Sequence, residues 1–271
     1  MTKIIDAFLF FNELEMLEFH LHEMNDIVDY FIIGESEETF SGKAKPMLYL
    51  ENASRYAKFA DKIIHVPIKA QASADDAWQR EEYQRDQLKL GFNSIRGLAE
   101  NDTLLISDVD EIADHNTIKN LPKAAPSMVF ALEQDIYYYN INTRLAERQC
   151  FTVVCSIEHA RSHSLQEIRF RTRAAILRPG GWHFSYFGNA SSILTKIQNF
   201  SHQDLNTPKI ANIQRIETVM KNGNDLYGRD QNKPEKYRTN RISTDENDYL
   251  PKNFQMLIGS EDWKLKDPTE A

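Results

Sequence analysis

The segment DTLLISDVDEI, residues 102–112, decides the fold of this 271-residue chain. Its apolar run, Leu104–Ile106, is short and bounded by polar residues, as in a buried strand of a parallel sheet. The acids Asp108, Asp110 and Glu111 follow at once. Because ligands of open α/β sheets bind just beyond the carboxyl ends of the strands, these acids are predicted to lie at a binding edge.

Asp108 and Asp110 are spaced to reach one divalent cation from the same side. Mg²⁺ and Mn²⁺ prefer oxygen ligands, and Mg²⁺ typically takes one or two carboxylates together with substrate phosphates. The pair therefore has the layout of an Asp-x-Asp site for Mn²⁺ or Mg²⁺ and a nucleoside diphosphate. The same letters also occur on solvated loops and at helix starts, and Asp114 could simply cap a helix.

The overall composition excludes several classes of protein. A net charge of −8 and a pI near 5.5 argue against general binding to nucleic acids or anionic membranes. Two cysteines, Cys150 and Cys155, do not make a disulfide framework. No apolar run reaches the roughly 18 residues that span a bilayer, and no secretory signal is visible. The sequence therefore predicts a cytoplasmic protein without a transmembrane segment.

The order of strand-like and helix-like segments predicts the fold class. They alternate up to about residue 120, which is typical of an α/β protein with a central, mostly parallel sheet flanked by helices. The rest of the chain is richer in strand-like segments, which predicts an added β-rich portion. Predicted strands are residues 4–11, 28–34, 63–67, 103–107, 128–133, 136–141, 149–156 and 168–177, and the longest helical zone is 73–100.

The whole chain, residues 1–271, is expected to form a single domain. Residues 1–120 are predicted to be its nucleotide-binding half, and residues 121–223 its acceptor and metal half. The tail, residues 224–271, is polar and is predicted to be mobile. Its first part would then be able to fold over a bound ligand and exclude water.

Polar residues near two other predicted elements are candidates for binding a nucleotide sugar. Glu35 and Ser36 end the second predicted strand, where a carboxylate can accept hydrogen bonds from a base or ribose. An ordinary polar loop is the alternative. On a later helix, Arg85 or Asp86 could face the nucleotide. Alternatively, Glu81 and Arg85 form an i,i+4 surface pair worth a few tenths of a kcal/mol.

The segment GGWHFSYFG, residues 180–188, surrounds one histidine with aromatic rings. Trp182 is a candidate stacking platform for a sugar or base, and His183 is a candidate metal ligand or base. An aromatic core strand with a hydrogen-bonded histidine is the alternative. Glu133 and Asp135 lie one predicted element beyond the Asp-x-Asp segment and are candidate catalytic bases toward an acceptor hydroxyl.

Four blocks of the sequence, in order, resemble glycosyltransferase family 17. Residues 28–49 resemble its V-D-x-F-x-x-x-E-S-x-x-T-x-x-G-x-x-K/R-P block, and residues 78–88 resemble its W-x-x-E/D-x-x-x-R-x-x-L stretch. Residues 104–112 resemble its strand ending in D-x-D-E-I, and residues 180–206 its G-W-H-x-S block with the following Lys-rich helix. Four ordered blocks are far more specific than an Asp-x-Asp alone.

The resemblance implies a GT-A-like nucleotide-sugar fold and an inverting, metal-dependent single displacement. It implies a UDP-sugar donor carrying N-acetylglucosamine, a glycan or glycoconjugate acceptor, and Mn²⁺ or Mg²⁺ as cofactor. Residues 140–170 do not align with the family, so this region is expected to shape a different acceptor site. The resemblance matches Asp108 and Asp110 to the metal-binding pair, Glu111 to the acid that follows, and Glu35, Ser36, Arg85 and His183 to other motif positions.

Two other functions share parts of this pattern. A nucleotidyltransferase also uses a parallel sheet, carboxylates and a divalent metal, but it would usually have a Gly-rich phosphate loop near the first strand. A non-catalytic sugar-binding or metal-binding protein would bind the ligands without donor turnover. An oxidoreductase is not expected, because no G-x-G-x-x-G follows a predicted strand.

Overall fold

The computed structural model describes residues 2–71, 74–122, 127–170 and 174–259. Strands in this part of the chain are β1 (Ile4–Phe10), β2 (Tyr30–Ser36), β3 (Ile63–Ile68), β4 (Thr103–Asp108), β5 (Glu111–Ala113), β6 (Phe130–Tyr138), β7 (Thr143–Leu145), β8 (Gln149–Ser156), β9 (Ala175–Leu177), β10 (Gly181–Ser185) and β11 (Thr239–Arg241). The α-helices are α1 (Leu14–Met24), α2 (Leu48–Glu51), α3 (Ala77–Gln87), α4 (His115–Lys119), α5 (Ile157–Ser162), α6 (Leu165–Arg169), α7 (Ala190–Asn199), α8 (Ile213–Asn222), α9 (Pro234–Tyr237) and α10 (Gln255–Gly259). Short 3₁₀ helices cover Ala53–Phe59, Leu88–Ser94, Gln203–Leu205 and Arg229–Gln231.

The centre of the sheet is parallel, in the order β3-β2-β1-β4. All four strands therefore end at the same edge, which we call the carboxyl edge. Helical crossovers bring helices to both faces of such a sheet, and its strands are apolar on both sides for that reason. In β1, the five residues Ile5, Ala7, Phe8, Leu9 and Phe10 are buried.

The β-rich portion extends this sheet beyond β4. Strand β8 is antiparallel to β4, and β6 is antiparallel to β8, so β6 again runs in the direction of the central strands. Strand β10 pairs in parallel with β6 and antiparallel with β5. This brings β10 beside the turn that contains the Asp-x-Asp segment. The predicted fold class, a mostly parallel sheet flanked by helices with an added β-rich portion, is confirmed.

The two faces of β1 enter two hydrophobic layers, as its two-residue period requires. Phe8 and Phe10 pack in one layer with Leu17 of α1. Ile5 and Ala7 pack in the other layer, which includes residues of α5, α6 and the 3₁₀ helix after α3. The helices that cover the two faces are therefore held by alternate residues of one strand.

A buried polar network lies beneath the Asp-x-Asp turn. His20 of α1 places Nε2 at 2.8 Å from Asp6 Oδ2 of β1, and Ser107 donates a hydrogen bond to Asp6 Oδ1 at 3.0 Å. His20 Nδ1 lies 2.8 Å from the Val109 carbonyl oxygen and, because a carbonyl only accepts, must donate to it. The network ties α1 and β1 to the residue between the two aspartates.

The second half differs from the sequence prediction in several elements. Residues 168–177 are not one strand, because Ile168 and Arg169 end α6. Ser164 accepts a hydrogen bond from the Glu167 amide, so the S-x-x-E pattern begins a helix there. Residues 171–173 lie outside the described part of the chain, and only Ala175–Leu177 form a strand.

The segment predicted to be a mobile tail contains α9, β11 and α10 in its described part. Leu226 and Asp225 are buried, because Leu226 joins a hydrophobic cluster and the Asp225 carboxylate accepts hydrogen bonds from the Tyr227 and Arg229 amides. Strand β11 pairs with β7. Residues 260–271 lie outside the described residues.

Gly181 is required where β10 pairs with β5. Its φ is +108°, and a Cβ added there would lie 2.0 Å from the Ile112 carbonyl oxygen. A left-handed conformation alone costs a non-glycine residue roughly 1–2 kcal/mol, and the backbone overlap adds to this. Gly181→Ala should therefore lower the free energy of unfolding by more than about 2 kcal/mol, measured by urea denaturation.

Gly97→Ala is the matched control for this variant. Gly97 also has a positive φ, +65°, but a Cβ there would approach only Lys3 Nζ, at 3.9 Å. Gly97→Ala should lower the free energy of unfolding by no more than the roughly 1–2 kcal/mol that a left-handed conformation costs. Equal losses for the two variants would contradict the close approach of β10 and β5.

Candidate active site

A cavity of about 420 Å³ opens at the carboxyl edge of the sheet. Residues at the ends of β1, β2 and β4 line one part of it, and residues of α3, α6, β6, β8, β10, α7 and the segment after α8 line other parts. Phe11 and Glu38 follow β1 and β2, while Asp108, Asp110 and Glu111 surround the turn after β4. The cavity thus lies where the sequence places a binding edge.

Asp110, His183 and Lys196 converge in this cavity from three different elements. Lys196 Nζ donates a hydrogen bond to Asp110 Oδ2 at 2.8 Å and lies 3.6 Å from Glu13 Oε1. His183 Nε2 lies 3.6 Å from the other oxygen, Asp110 Oδ1. The Phe184 amide donates to the Asp110 carbonyl oxygen at 2.8 Å, which fixes β10 beside the turn. Burial opposes ionisation of Asp110, but Lys196 and His183 lower its pKa well below the usual range.

Asp108 is held by two guanidinium groups instead. Arg85 of α3 donates to its Oδ1 at 3.0 Å, and Arg169 of α6 donates to its Oδ2 at 2.8 Å. Arg169 also donates to Glu111 Oε2 at 2.9 Å, and Arg85 donates to Glu81 Oε1 at 3.0 Å. Although burial opposes ionisation of Asp108, Arg169 and Arg85 lower its pKa.

The chemistry of the donor atoms shows whether this site fits a divalent cation. No cluster of three or more His, Cys, Asp or Glu side chains in the described ranges is arranged to hold a metal ion. Asp110 and His183 offer an oxygen and a nitrogen donor, and His183 Nδ1 is buried without a hydrogen-bond partner among the described residues. Since Mg²⁺ and similar ions take one or two carboxylates and complete their shell with waters and phosphates, the pair fits a site that a bound diphosphate completes.

Glu35 and Ser36 end β2 but do not line the cavity. The Glu35 carboxylate is fully buried, accepts a hydrogen bond from the Tyr49 amide at 2.8 Å and lies 3.1 Å from His65 Nε2. It also lies 3.6 Å from Nζ of Lys45, a residue that does line the cavity. Glu35 therefore holds α2 and Lys45 in place, and Ser36 accepts a hydrogen bond from the backbone two residues later.

Asp86 and Trp182 also lie outside the cavity lining. Asp86 points toward α6, where its carboxylate accepts hydrogen bonds from the Ser164 hydroxyl and the Leu165 amide. Trp182 is buried, stacks on Tyr249 at a centroid distance of 4.7 Å and donates to its carbonyl oxygen. Of the residues predicted to bind a nucleotide sugar, Arg85 and Asp108 line the cavity.

Glu133 and Asp135, the predicted bases, lie on β6 with their side chains away from the cavity. Ile136 and Tyr138 line the cavity, and the two-residue period of a strand places odd-numbered positions on the opposite face. Glu133 forms an ion pair with Arg178 at 2.6 Å, and Asp135 is paired with two arginines of the β7–β8 region. Both carboxylates are therefore occupied by arginines.

An aromatic wall, which we define as Tyr138, Tyr186, Tyr227 and Tyr237, forms another side of the cavity. Arg229 lies 4.1 Å from the Tyr237 ring centroid and 4.8 Å from that of Tyr227, and it donates to the Tyr138 hydroxyl at 2.9 Å. Tyr186 has a φ of +58°, and such strained backbone concentrates at functional sites. The sequence prediction did not include the wall.

The sequence reasoning also missed Arg169 and Lys196. Arg169 lies in the segment 168–177, for which the sequence predicts a strand, and no motif marks it. Lys196 lies on the helix after the G-W-H block, and a lysine on a helix is most often solvated, so only its position within a matching block could have indicated a role. Both residues are distant in sequence from the carboxylates that they bind. Arg169 is 61 residues from Asp108, and Lys196 is 86 residues from Asp110.

A comparison with protein families identifies the chain. A sequence model of glycosyltransferase family 17 matches residues 1–255. The chain belongs to glycosyltransferase family 17. The resemblance of the four sequence blocks is thereby confirmed, and the cavity at the carboxyl edge is the candidate active site of a family 17 glycosyltransferase.

Curated relatives of this family 17 chain include two mammalian enzymes. The beta-1,4-mannosyl-glycoprotein 4-beta-N-acetylglucosaminyltransferases of Rattus norvegicus and Homo sapiens are each 28% identical to it over 115 residues, 41% of this chain. These residues correspond to 21% and 22% of the two enzymes. The match thus spans about a fifth of the length of these relatives.

Solved structures show only a distant likeness to this family 17 chain. A 4-diphosphocytidyl-2C-methyl-D-erythritol synthase has a TM-score of 0.37 and 12% identity, covering 77% of this chain and 95% of its own. HddC from Yersinia pseudotuberculosis, complexed with GMP-PN, has a TM-score of 0.38 and 10% identity, covering 66% and 92%. The fold description therefore rests on the sheet itself.

Within the described ranges, none of the helices has the length and apolar character needed to cross a membrane.

Arg169 pairs with Glu111 at the turn after β4 and shares Asp108 with Arg85. Removing one partner of a buried ion pair typically costs about 3–5 kcal/mol. Arg169→Leu should therefore lower the free energy of unfolding at pH 7 by about 3 kcal/mol. Because Arg169 lowers the pKa of Asp108, this contribution is present above the ordinary Asp pKa of about 3.9 and is lost as the pH falls through the lowered value. The gap between wild type and variant should narrow below about pH 4.

Urea denaturation at several pH values measures this gap, with Arg161→Leu as the matched control. Arg161 Nε lies 3.3 Å from Glu100 Oε1, and both side chains are exposed. Such surface pairs contribute less than about 1 kcal/mol. The role given to Arg169 would be contradicted if Arg169→Leu lowered the free energy of unfolding no more than Arg161→Leu does.

Proposed function

We propose that the chain is an inverting, metal-dependent glycosyltransferase that transfers N-acetylglucosamine from UDP-N-acetylglucosamine to a glycan hydroxyl. The observation that carries this proposal is the convergence of Asp110 and His183 in a cavity at the carboxyl edge. Membership of family 17 supports glycosyl transfer as the reaction class. The N-acetylglucosaminyltransferase relatives support the choice of sugar.

The charge of the cavity supports a divalent cation. Its lining contains six carboxylates, those of Glu13, Glu38, Glu81, Asp108, Asp110 and Glu111. It contains five Lys and Arg side chains, those of Lys45, Arg85, Arg169, Lys196 and Arg229. These charges nearly balance, so the diphosphate of a nucleotide sugar needs added positive charge to bind there.

Asp110 and His183 are the residues that would hold Mn²⁺ or Mg²⁺. When bound, the ion supplies Lewis-acid stabilisation of the charge that develops on the UDP leaving group. Arg85 and Arg169 keep the Asp108 carboxylate ionised and oriented toward the cavity. The backbone contact from Phe184 to Asp110 keeps the two proposed ligands together before the donor binds, which lowers the entropic cost of assembling the site.

The aromatic wall is the proposed acceptor side of the cavity. Aromatic rings present broad apolar faces, and tyrosine adds a hydroxyl that forms hydrogen bonds, a combination suited to sugar rings. Arg229, fixed by the Asp225 carboxylate, adds a donor group beside the Tyr227 and Tyr237 rings. In a single displacement, the acceptor hydroxyl attacks the anomeric carbon from the side opposite the leaving diphosphate, and inversion follows. We do not assign the base to Glu133 or Asp135, because both face away from this cavity.

Replacing Asp110 tests the proposal. Asp110→Asn removes the charge that holds the cation, so Mn²⁺-dependent UDP release from UDP-N-acetylglucosamine should fall on the order of 100-fold or more, as when charge stabilisation of a transition state is lost. UDP release should be followed with a panel of UDP-sugars, with Mn²⁺ and with EDTA. Thermal unfolding should confirm that the variant is folded.

Asp61→Asn is the matched control, because Asp61 is exposed and precedes β3, at the opposite edge of the sheet. It should release UDP at the wild-type rate. Wild-type turnover by Asp110→Asn would exclude Asp110 as the metal ligand. If the wild-type protein binds UDP in a metal-dependent way but turns over no UDP-sugar, a non-catalytic binding protein becomes the better interpretation. If it neither turns over a UDP-sugar nor binds UDP with Mn²⁺, the proposed function fails.

A further inference from the structure

Lys196 and the proposed metal share one carboxylate. Lys196 Nζ donates to Asp110 Oδ2 at 2.8 Å, while His183 Nε2 faces Oδ1 of the same group at 3.6 Å. The ammonium also lies 3.6 Å from Glu13 Oε1 and 5.8 Å from the Tyr186 ring centroid. A monovalent cation of the chain therefore already compensates the carboxylate that would hold the divalent ion.

A dication and an ammonium on the same carboxylate repel one another, and this repulsion is strong where water is scarce. Lys196 can respond, because a lysine is a compact charge on a flexible stem with rotatable donors, and its side chain is 29% exposed. Arg85 and Arg169 cannot respond in the same way. Their side chains are 1% and 7% exposed, and each donates several hydrogen bonds to fixed groups.

We infer that Lys196 occupies the place of the divalent cation on Asp110 in the nucleotide-free protein, and that it moves onto the diphosphate of the donor when metal and nucleotide bind together. The inference rests on the proposed function, since it takes Asp110 and His183 as metal ligands and a UDP-sugar as donor. Lys196 is then a substrate-contacting residue as well as a competitor of the metal. Metal alone binds weakly, because it must displace Lys196, whose other carboxylate partner among the described residues is Glu13.

This arrangement couples the two ligands. Lys196 donates a hydrogen bond to the diphosphate in place of the one that it donated to Asp110. Each ligand therefore raises the affinity of the protein for the other by the same factor. The protein would hold its metal firmly only with a nucleotide present. Removing Lys196 should weaken the coupling from both sides, with tighter metal binding in the absence of nucleotide and weaker binding of the diphosphate.

Direct binding measurements test the inference without relying on turnover. Mn²⁺ binding to nucleotide-free protein is followed by electron paramagnetic resonance, and binding of UDP and of uridine is measured by calorimetry in saturating Mn²⁺. Lys196→Gln should bind Mn²⁺ about tenfold more tightly than wild type and UDP about tenfold more weakly, within the usual range of coupling between sites. Its affinity for uridine, which has no phosphate, should not change.

Lys43→Gln is the matched control. Lys43 is exposed and its Nζ donates at 3.3 Å to the Gln198 carbonyl oxygen, on the same helix as Lys196. This variant changes the net charge equally and should bind all three ligands like wild type. Lys196→Arg retains the charge and should also leave nucleotide-free Mn²⁺ binding near the wild-type value.

A second measurement uses the wild-type protein and does not depend on how a variant folds. Acetylation of lysines by an amine-reactive reagent, read by mass spectrometry, reports how accessible Lys196 is. Labelling of Lys196 should rise with saturating Mn²⁺ alone and fall again when UDP is added with Mn²⁺. Labelling of Lys43 should stay constant throughout.

The outcomes separate the inference from the proposed function. One outcome is that the wild-type protein binds Mn²⁺ and UDP while Lys196→Gln binds both with the same affinity and Mn²⁺ leaves the labelling of Lys196 unchanged. In that case the role given to Lys196 is wrong and the proposed function stands. If wild-type protein binds neither Mn²⁺ nor UDP, the proposed function itself fails. The inference is supported only if Lys196→Gln binds Mn²⁺ more tightly and UDP more weakly than the wild-type protein.

Discussion

The need to compensate three carboxylates within four residues controls this structure. Asp108, Asp110 and Glu111 follow a buried strand, where unpaired charges are costly. Arg85, Arg169 and Lys196 supply the opposite charges, and they come from α3, α6 and α7. Three helices that are distant in sequence are thereby held at the carboxyl edge, and the cavity lies among them.

The three cations are not equivalent, and the difference divides the site. Two buried guanidinium groups, each with several hydrogen bonds, hold the Asp108 side of the turn in one arrangement. A single, partly exposed ammonium compensates Asp110. One half of the site is therefore fixed by buried arginines, and the other half is the one where we propose that a lysine exchanges for a metal ion. The His20–Asp6 network below keeps the turn itself in place through the Val109 carbonyl group.

The parts of the fold that depend on local patterns were predictable. The apolar runs of β1, β2 and β4 identify parallel strands, because only strands covered on both faces are apolar throughout. Helix α6 was not predicted, because it has only five residues and the strand predicted for residues 168–177 overlaps its last two. In the site, Asp110 and His183 meet as the motif blocks imply. Glu133 and Asp135 are on the opposite face of β6, which no local pattern indicates because the faces of this strand are both buried.

The sequence by itself determined the α/β class, the edge at which the acids lie and the family to which the four blocks point. These features follow from residues that are close in the chain or that occur in a fixed order. Only the tertiary structure decided which cation compensates which carboxylate, which residues line the cavity and that an aromatic wall is part of that lining. Such pairings join residues as far apart as Asp110 and Lys196, 86 positions in sequence, and depend on how helices dock after the sheet has formed.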